Sequence, residues 1–269
     1  MVNNGQAGCL QLLLDAKVDI NVVDKNGCTA CHSAAIRGPT ECLQLRIDAK
    51  ADIGAVDKKG YTALMAAAFY GHTECSQLLL DAKADIGAVN NNGDTAMIVA
   101  AFEGQTACLL LLLEANADIS TFNKDGSTAW ILAAMQGRAE CLQLMIDFKA
   151  DIDTNDKEGV TASMVAAAKG HTACLQLLLD ANADISAASK VGYTAAIAAA
   201  GYGRIECLKL LIDTNADIEA SSYDGYTALI VTAINGHTAC LQLLIDAKAH
   251  LGATDRHGNT ALILAAGFD

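Results

Sequence analysis

Cys9, Cys42, Cys75, Cys108, Cys141, Cys174, Cys207 and Cys240 stand 33 residues apart along this chain. A single catalytic site has no use for such a ruler; it marks one structural unit copied end to end. Two glycine series keep the same interval, Gly27 through Gly258 and Gly5 through Gly236. A repeat of this length points to a stacked solenoid, in which each unit buries its apolar face only against its neighbours. Such arrays usually bind other molecules rather than transform them. The repeat overrides the one or two globular domains that 269 residues would otherwise suggest, and predicts one array with no interior linker.

The residues from Asp57 to Val89 show how one unit is built. Asp57-Lys58-Lys59-Gly60 reads as a turn, with Asp first and Gly fourth. Thr62 is placed to cap a helix that runs through Ala63-Leu64-Met65-Ala66-Ala67-Ala68 and stops at Gly71. The chain restarts at His72-Thr73, and Cys75, Leu78 and Leu79 form the buried stripe of a second helix. Each copy is therefore turn, helix, turn, helix, loop. Its small alanines let neighbouring first helices approach closely. A hydrophobic content of 52% with only 4% aromatics agrees with a core made of Ala and Leu.

This pattern resembles the ankyrin repeat family. That family's 33-residue frame, D-x-x-G-x-T-P-L-H-x-A-A-x-x-G-H, maps onto almost the whole chain, and Gly71-His72, Gly170-His171 and Gly236-His237 match its Gly-His step. The resemblance implies an all-α ankyrin-repeat solenoid of stacked helix-turn-helix units with hairpin-like turn tips. On this register complete units span 24–56, 57–89, 90–122, 123–155, 156–188, 189–221 and 222–254, flanked by partial units at 1–23 and 255–269. The near-identical GHTACLQLL stretches at 170–178 and 236–244 resemble the expanded ankyrin arrays of unicellular algae.

The chain also departs from the family frame. The proline after the capping Thr is Ala in all eight copies, and the family's histidine survives only as His32. The glycine that ends the second helix is replaced by Lys17, Lys50, Lys83, Asn116, Lys149, Asn182, Asn215 and Lys248. If these residues keep the left-handed conformation, each lysine costs roughly 1–2 kcal/mol, with asparagine easier. A stable array is expected, less rigid than the family's consensus form.

Several candidate chemistries dissolve in the same register. Cys28-Thr29-Ala30-Cys31-His32 contains the C-x-x-C-H signature of c-type haem attachment. Yet Thr29 falls at the cap, Cys31 at a core position held by Leu64 in a sister copy, and His32 at the family's own histidine. Equivalent residues in adjacent stacked helices lie roughly 8–10 Å apart, beyond the ~7 Å limit for a disulfide. The thiol ladder is thus a set of small apolar side chains in a reducing, intracellular compartment, cytoplasm or organelle interior. The acidic ladder Asp15, Asp48, Asp81, Glu114, Asp147, Asp180, Asp213 and Asp246 places one carboxylate per unit, too sparse to cage a calcium ion. Arg46 occupies the core position of Leu79 and Leu244, and is expected to snorkel to water. His250 and His257 lie near one loop tip with no evident partner. No catalytic constellation, metal site or cofactor is implied.

A net charge of −13 argues against nucleic acid or an anionic membrane as the main partner and makes a basic protein surface the natural complement. No apolar run is long enough to span a bilayer, and MVNNGQAGCL lacks the regions of a signal peptide. The family resemblance places the turn tips and the end of each first helix on the concave face. Those positions hold Tyr61, Phe69, Tyr70, Phe102, Phe122, Tyr193, Tyr202, Tyr223, Tyr226 and Phe268, leaving only Trp130 and Phe148 elsewhere. Aromatic side chains dominate interface hot spots. Two clusters, Tyr61/Phe69/Tyr70/Phe102 and Tyr193/Tyr202/Tyr223/Tyr226, are the expected partner-binding residues. The leading expectation is a non-catalytic protein-binding module that uses its concave face and turn tips. The alternative is a structural subunit built permanently into a larger assembly, such as an algal membrane complex. The terminal half-units lack polar caps, so neighbouring chains are expected to cover Leu12 at one end and Ile263 at the other.

Overall fold

The computed structural model describes residues 4–267, and among them the regular structure is entirely helical. The first helix of each pair follows a threonine: α2 (Ala30–Arg37), α4 (Ala63–Tyr70), α6 (Ala96–Glu103), α8 (Ala129–Gln136), α10 (Ala162–Lys169), α12 (Ala195–Gly201), α14 (Ala228–Ile234) and α16 (Ala261–Ala266). The second helices are α1 (Asn4–Asp15), α3 (Thr40–Asp48), α5 (Thr73–Asp81), α7 (Thr106–Glu114), α9 (Ala139–Asp147), α11 (Thr172–Asp180), α13 (Ile205–Asp213) and α15 (Thr238–Asp246). The chain divides into two compact units, Met1–Lys124 and Asp125–Asp269.

Local chemistry sets both ends of α4, a typical first helix. Thr62 holds extended backbone (φ −85°, ψ 167°) and its hydroxyl accepts from the Met65 N–H at 3.2 Å. This satisfies one of the orphaned amides of the first turn. Gly71 closes the helix in the left-handed region at φ 75°. The second helices end on residues in the same region. Lys17, Lys50, Lys83, Asn116, Lys149, Asn182, Asn215 and Lys248 all have φ between 57° and 67°. At Lys83 the strain is tolerated because its N–H donates to the Leu80 carbonyl and that of Ala84 to the Leu79 carbonyl, both at 2.9 Å.

Packing follows the small residues. In the first unit α2 lies on α4 and α4 on α6; in the second α8, α10, α12, α14 and α16 stack in order. Ala67, Ala68, Ala100, Ala101, Ala166, Ala167, Ala199 and Ala200 are completely buried. Leu79, Leu112, Met145, Leu178, Leu211 and Leu244 fill the space behind them from the second helices and are equally inaccessible. Burying such a leucine or methionine contributes roughly 1.5–3 kcal/mol.

Close stacking brings successive turn tips within hydrogen-bond reach. In the first unit Lys58 N–H donates to the Asn26 carbonyl at 2.9 Å, Asn91 to Lys59 at 2.9 Å and Lys124 to Asn92 at 2.8 Å. In the second unit Lys157, Lys190, Tyr223 and Arg256 donate in the same way to Asp125, Glu158, Val191 and Asp224. Gly60 shows why the tip needs glycine. Its φ is +79°, and a β-carbon there would lie 2.8 Å from the Asn91 amide nitrogen. The tips are hairpin-like: antiparallel bridges join Asn155 to Thr161, Ser221 to Thr227 and Thr254 to Thr260.

All ten cysteines are thiols. Seven of the eight ladder members are buried, whereas Cys9 is exposed on α1; off the ladder, Cys31 is buried and Cys28 partly so. Burial, reinforced by Cys141 and Cys207, pushes the Cys174 thiol from 9.0 up to about 11. Burial likewise raises Cys31, Cys75, Cys207 and Cys240.

Lys83→Gly relieves the left-handed lysine and should stabilise the chain by about 1 kcal/mol, read as a higher urea midpoint, after the larger unfolded-state entropy of glycine is discounted. Iodoacetamide at neutral pH should modify Cys9 first and Cys28 more slowly, reaching the buried thiols only on unfolding. The raised thiols bind protons more tightly when folded. Their stabilisation is therefore complete below the unfolded thiol pKa and is lost as pH climbs towards about 11. Chemical melts from pH 8 to 11 should show that decline.

Candidate functional site

The first aromatic cluster is built by a turn tip and the end of a first helix. Asp57 accepts from the N–H groups of Lys59 and Tyr61 through one carboxylate oxygen, both at 2.8 Å, which fixes Tyr61 at the tip. The Tyr61 carbonyl in turn accepts from His32 Nε2 at 2.8 Å. Phe69 and Tyr70 close α4 with their rings edge-on, centroids 4.9 Å apart and planes at 61°. Tyr70 also stacks beside His72 at 6.3 Å. Cys28, His32, Ile36, Asp57, Lys59, Tyr61, Ala66, Phe69 and Tyr70 line a groove of about 190 Å³. Tyr70 is half exposed, and Phe102 holds the Phe69 position one repeat further on.

Electrostatics at Tyr61 report its surroundings. Burial pushes the phenol pKa up, a hydrogen bond with Asn90 opposes this, and the carboxylates of Asp94, Glu103 and Asp57 push it further up. The tip therefore sits in a negative field.

The second cluster lies within the second unit. The Tyr193 phenol is raised first by burial, then by Tyr226, Tyr202 and Asp224, so two other tyrosines of the cluster lie near enough to act on it. Tyr223 is the most exposed at 78%, with Tyr202 at 63%. Asp224 pairs with Arg256 at 2.6 Å, but both side chains are at least half exposed and the pair adds little stability. Phe122 and Phe148 are exposed and belong to neither cluster as defined by the sequence. Phe268 lies outside the described residues.

The C-x-x-C-H residues are committed to structure. Cys31 and His32 are buried at 2% and 1% exposure. His32 Nδ1 accepts from the Thr29 N–H at 3.1 Å while Nε2 faces the Tyr61 carbonyl. Both ring nitrogens are thus occupied, leaving no lone pair for an axial ligand. Six members of the acidic ladder, at Asp15, Asp48, Asp81, Asp147, Asp180 and Asp246, accept from a glutamine one turn earlier at 2.8–2.9 Å. Among the described residues no group of three or more His, Cys, Asp or Glu side chains could hold a metal ion. No helix among them is long and apolar enough to cross a membrane.

Sequence reasoning missed what the recurring histidines do. His72 Nε2 hydrogen-bonds the Ile36 carbonyl, His171 that of Met135 and His237 that of Gly201, each at 3.1 Å and 36 residues back. They fasten the starts of α5, α11 and α15 to the preceding repeat. The signal available was the recurrent Gly-His step. At the far tip, His250 N–H donates to the Glu219 carboxylate at 2.8 Å, and His257 Nε2 accepts from Arg256 Nε at 3.1 Å.

Arg46 departs from its expected placement. Its Nε and Nη1 are buried with no hydrogen-bond partner, so most of the guanidinium does not reach water. Burial lowers its pKa, partly opposed by Cys31 and Cys42. At the ends, Leu12 and Leu13 are 71% and 54% exposed, and Leu262 and Ile263 are 80% and 54% exposed.

Paired helices repeating every 33 residues, with ordered tips joined by single backbone bonds, define a helical-repeat solenoid fold. The ankyrin repeats family model, described as three copies, matches residues 1–90, 41–123, 119–189 and 196–269. The chain belongs to the ankyrin repeat family. The ankyrin repeat domain of Bcl-3, a member of the IkappaB protein family, superposes with a TM-score of 0.71 at 25% identity, covering 82% of this chain and all of that one. The human ASB11 ankyrin repeat domain gives a TM-score of 0.76 at 24% identity, over 83% of this chain and 99% of that one. No curated protein matches this chain.

Replacing Arg46 by the leucine of its sister helices removes two buried, unpartnered donors. Arg46→Leu should stabilise the chain by about 1–3 kcal/mol in denaturant melts.

Proposed function

We propose that this chain binds a protein partner through its turn tips and the ends of its first helices, the face the family makes concave. Ankyrin repeat domains are generally protein–protein interaction modules and typically non-catalytic. The observation that carries this is the exposure of Tyr70, Tyr202 and Tyr223 at 50%, 63% and 78%. These rings add little to the core, and exposed aromatics surrounded by polar tips are the usual anchors of an interface.

The test is capture of a partner from native extract with the intact chain, followed by the same capture with Tyr70→Ala and Tyr202→Ala. Each truncation should cost more than about 1 kcal/mol of affinity by calorimetry against the identified partner. Since both side chains are exposed, the melting behaviour of the variants should be nearly that of the parent. Unchanged affinity in both variants would remove the aromatic face from the interface.

A further inference from the structure

The groove between the first two tips has a chemistry more specific than a general binding face. We propose that it receives the guanidinium of an arginine presented by a basic segment of the partner protein, an inference that rests on the aromatic face being a protein-binding surface. Its size selects the scale of the guest. Small-molecule sites occupy roughly 300–1,000 Å³, whereas this groove encloses about 190 Å³ and is open along one side. That is room for one side chain of a bound peptide.

The lining selects the charge. Tyr61, Phe69 and Tyr70 present ring surface, and a cation over an aromatic face is attracted by the ring quadrupole. Asp57 lines the groove, while Asp94 and Glu103 act on the same Tyr61 phenol. Histidine does not offset them. Nδ1 of His32 must be unprotonated to accept from the Thr29 N–H, so the ring is neutral with its proton on Nε2, facing the Tyr61 carbonyl. The one cationic side chain in the lining is Lys59, exposed at the rim. A neutral apolar guest would strip water from the Asp57 carboxylate and give nothing in return. A cationic guest satisfies it, and the more distant Asp94 and Glu103 add to its attraction.

Between the two natural cations the geometry favours arginine. Its planar guanidinium is more weakly hydrated than an ammonium and stacks flat on a ring while its edge donates to carboxylates. The net charge of −13 adds long-range steering towards a basic segment.

The experiment uses the full chain and a defined probe. N-acetyl-Gly-Gly-Arg-Gly-Gly-amide, titrated to millimolar concentration, should shift the aromatic NMR signals of Tyr61, Phe69 and Tyr70. The citrulline counterpart keeps the shape and removes the charge, and should bind at least tenfold more weakly. Glu103→Gln should weaken the arginine peptide several-fold, and Lys59→Glu should strengthen it by a similar factor. Neither change touches the core, so both variants should retain the parent's helical spectrum and melting curve. Equal binding of the citrulline peptide, or rings that do not move with the arginine peptide, would overturn the proposal. If the rings stay still while a captured partner still loses affinity on Tyr70→Ala, the cationic guest falls and the protein-binding face stands.

Discussion

The smallness of the alanines in each first helix is the constraint on which the rest depends. Ala67, Ala68, Ala100 and Ala101 are completely inaccessible, and nothing larger would let adjacent first helices sit as close. That closeness brings the Lys58 and Asn91 amides to the carbonyls of the preceding tips, at 2.9 Å in each case. It also brings His72 under the Ile36 carbonyl and His32 under the Tyr61 carbonyl. The groove beside Tyr61 is a product of the same spacing, since its lining comes from two neighbouring tips and two neighbouring helices.

Most of the scaffold was legible because its determinants are local and repeated. A threonine before an alanine-rich run announces a helix start, and Thr62 caps α4 as its position implies. The left-handed lysines could be read from the family's glycine position, and every one of them has the expected sign of φ. What escaped depends on distance. No local rule links His72 to a carbonyl 36 residues earlier, and none reveals that Cys9 is exposed while its seven ladder equivalents are not. Cys9 sits on α1, which packs on α3 alone among the helices in close contact with it. Arg46 escaped for a related reason. Whether a long cationic side chain reaches water depends on the neighbours that surround its tip, and periodicity does not report them. At the site, sequence supplied the aromatic positions but not the carboxylates around Tyr61, because Asp94 and Glu103 come from the following repeat.

Several features lie off the stability optimum for the same fold. Trp130 is almost fully buried yet its indole N–H finds no acceptor. Ser163 and Ala196, the residues at its position in the next two repeats, are small. An unmet buried donor costs about 1–3 kcal/mol. A repeat array tolerates such local penalties because each unit contributes its own interface terms to a sum. The cost at Trp130 or Arg46 is offset by the well-packed leucines of neighbouring copies rather than endangering a single shared core.

The aromatic tips cannot be explained by the same tolerance. If tips merely accepted bulk, the rings would be as indifferent to their surroundings as Phe122, which stands apart at 65% exposure. Tyr61 instead is half-buried beside Asp57, in the negative field to which Asp94 and Glu103 contribute, while Tyr70 beside it keeps half its surface in water. In the second unit Tyr226, Tyr202 and Asp224 all act on the Tyr193 phenol. A purely structural role would favour burying these rings, and a purely solvent role would favour polar replacements. Rings anchored on one side and open on the other, beside negative charge, fit neither role. They are the features on which the proposed cationic guest rests.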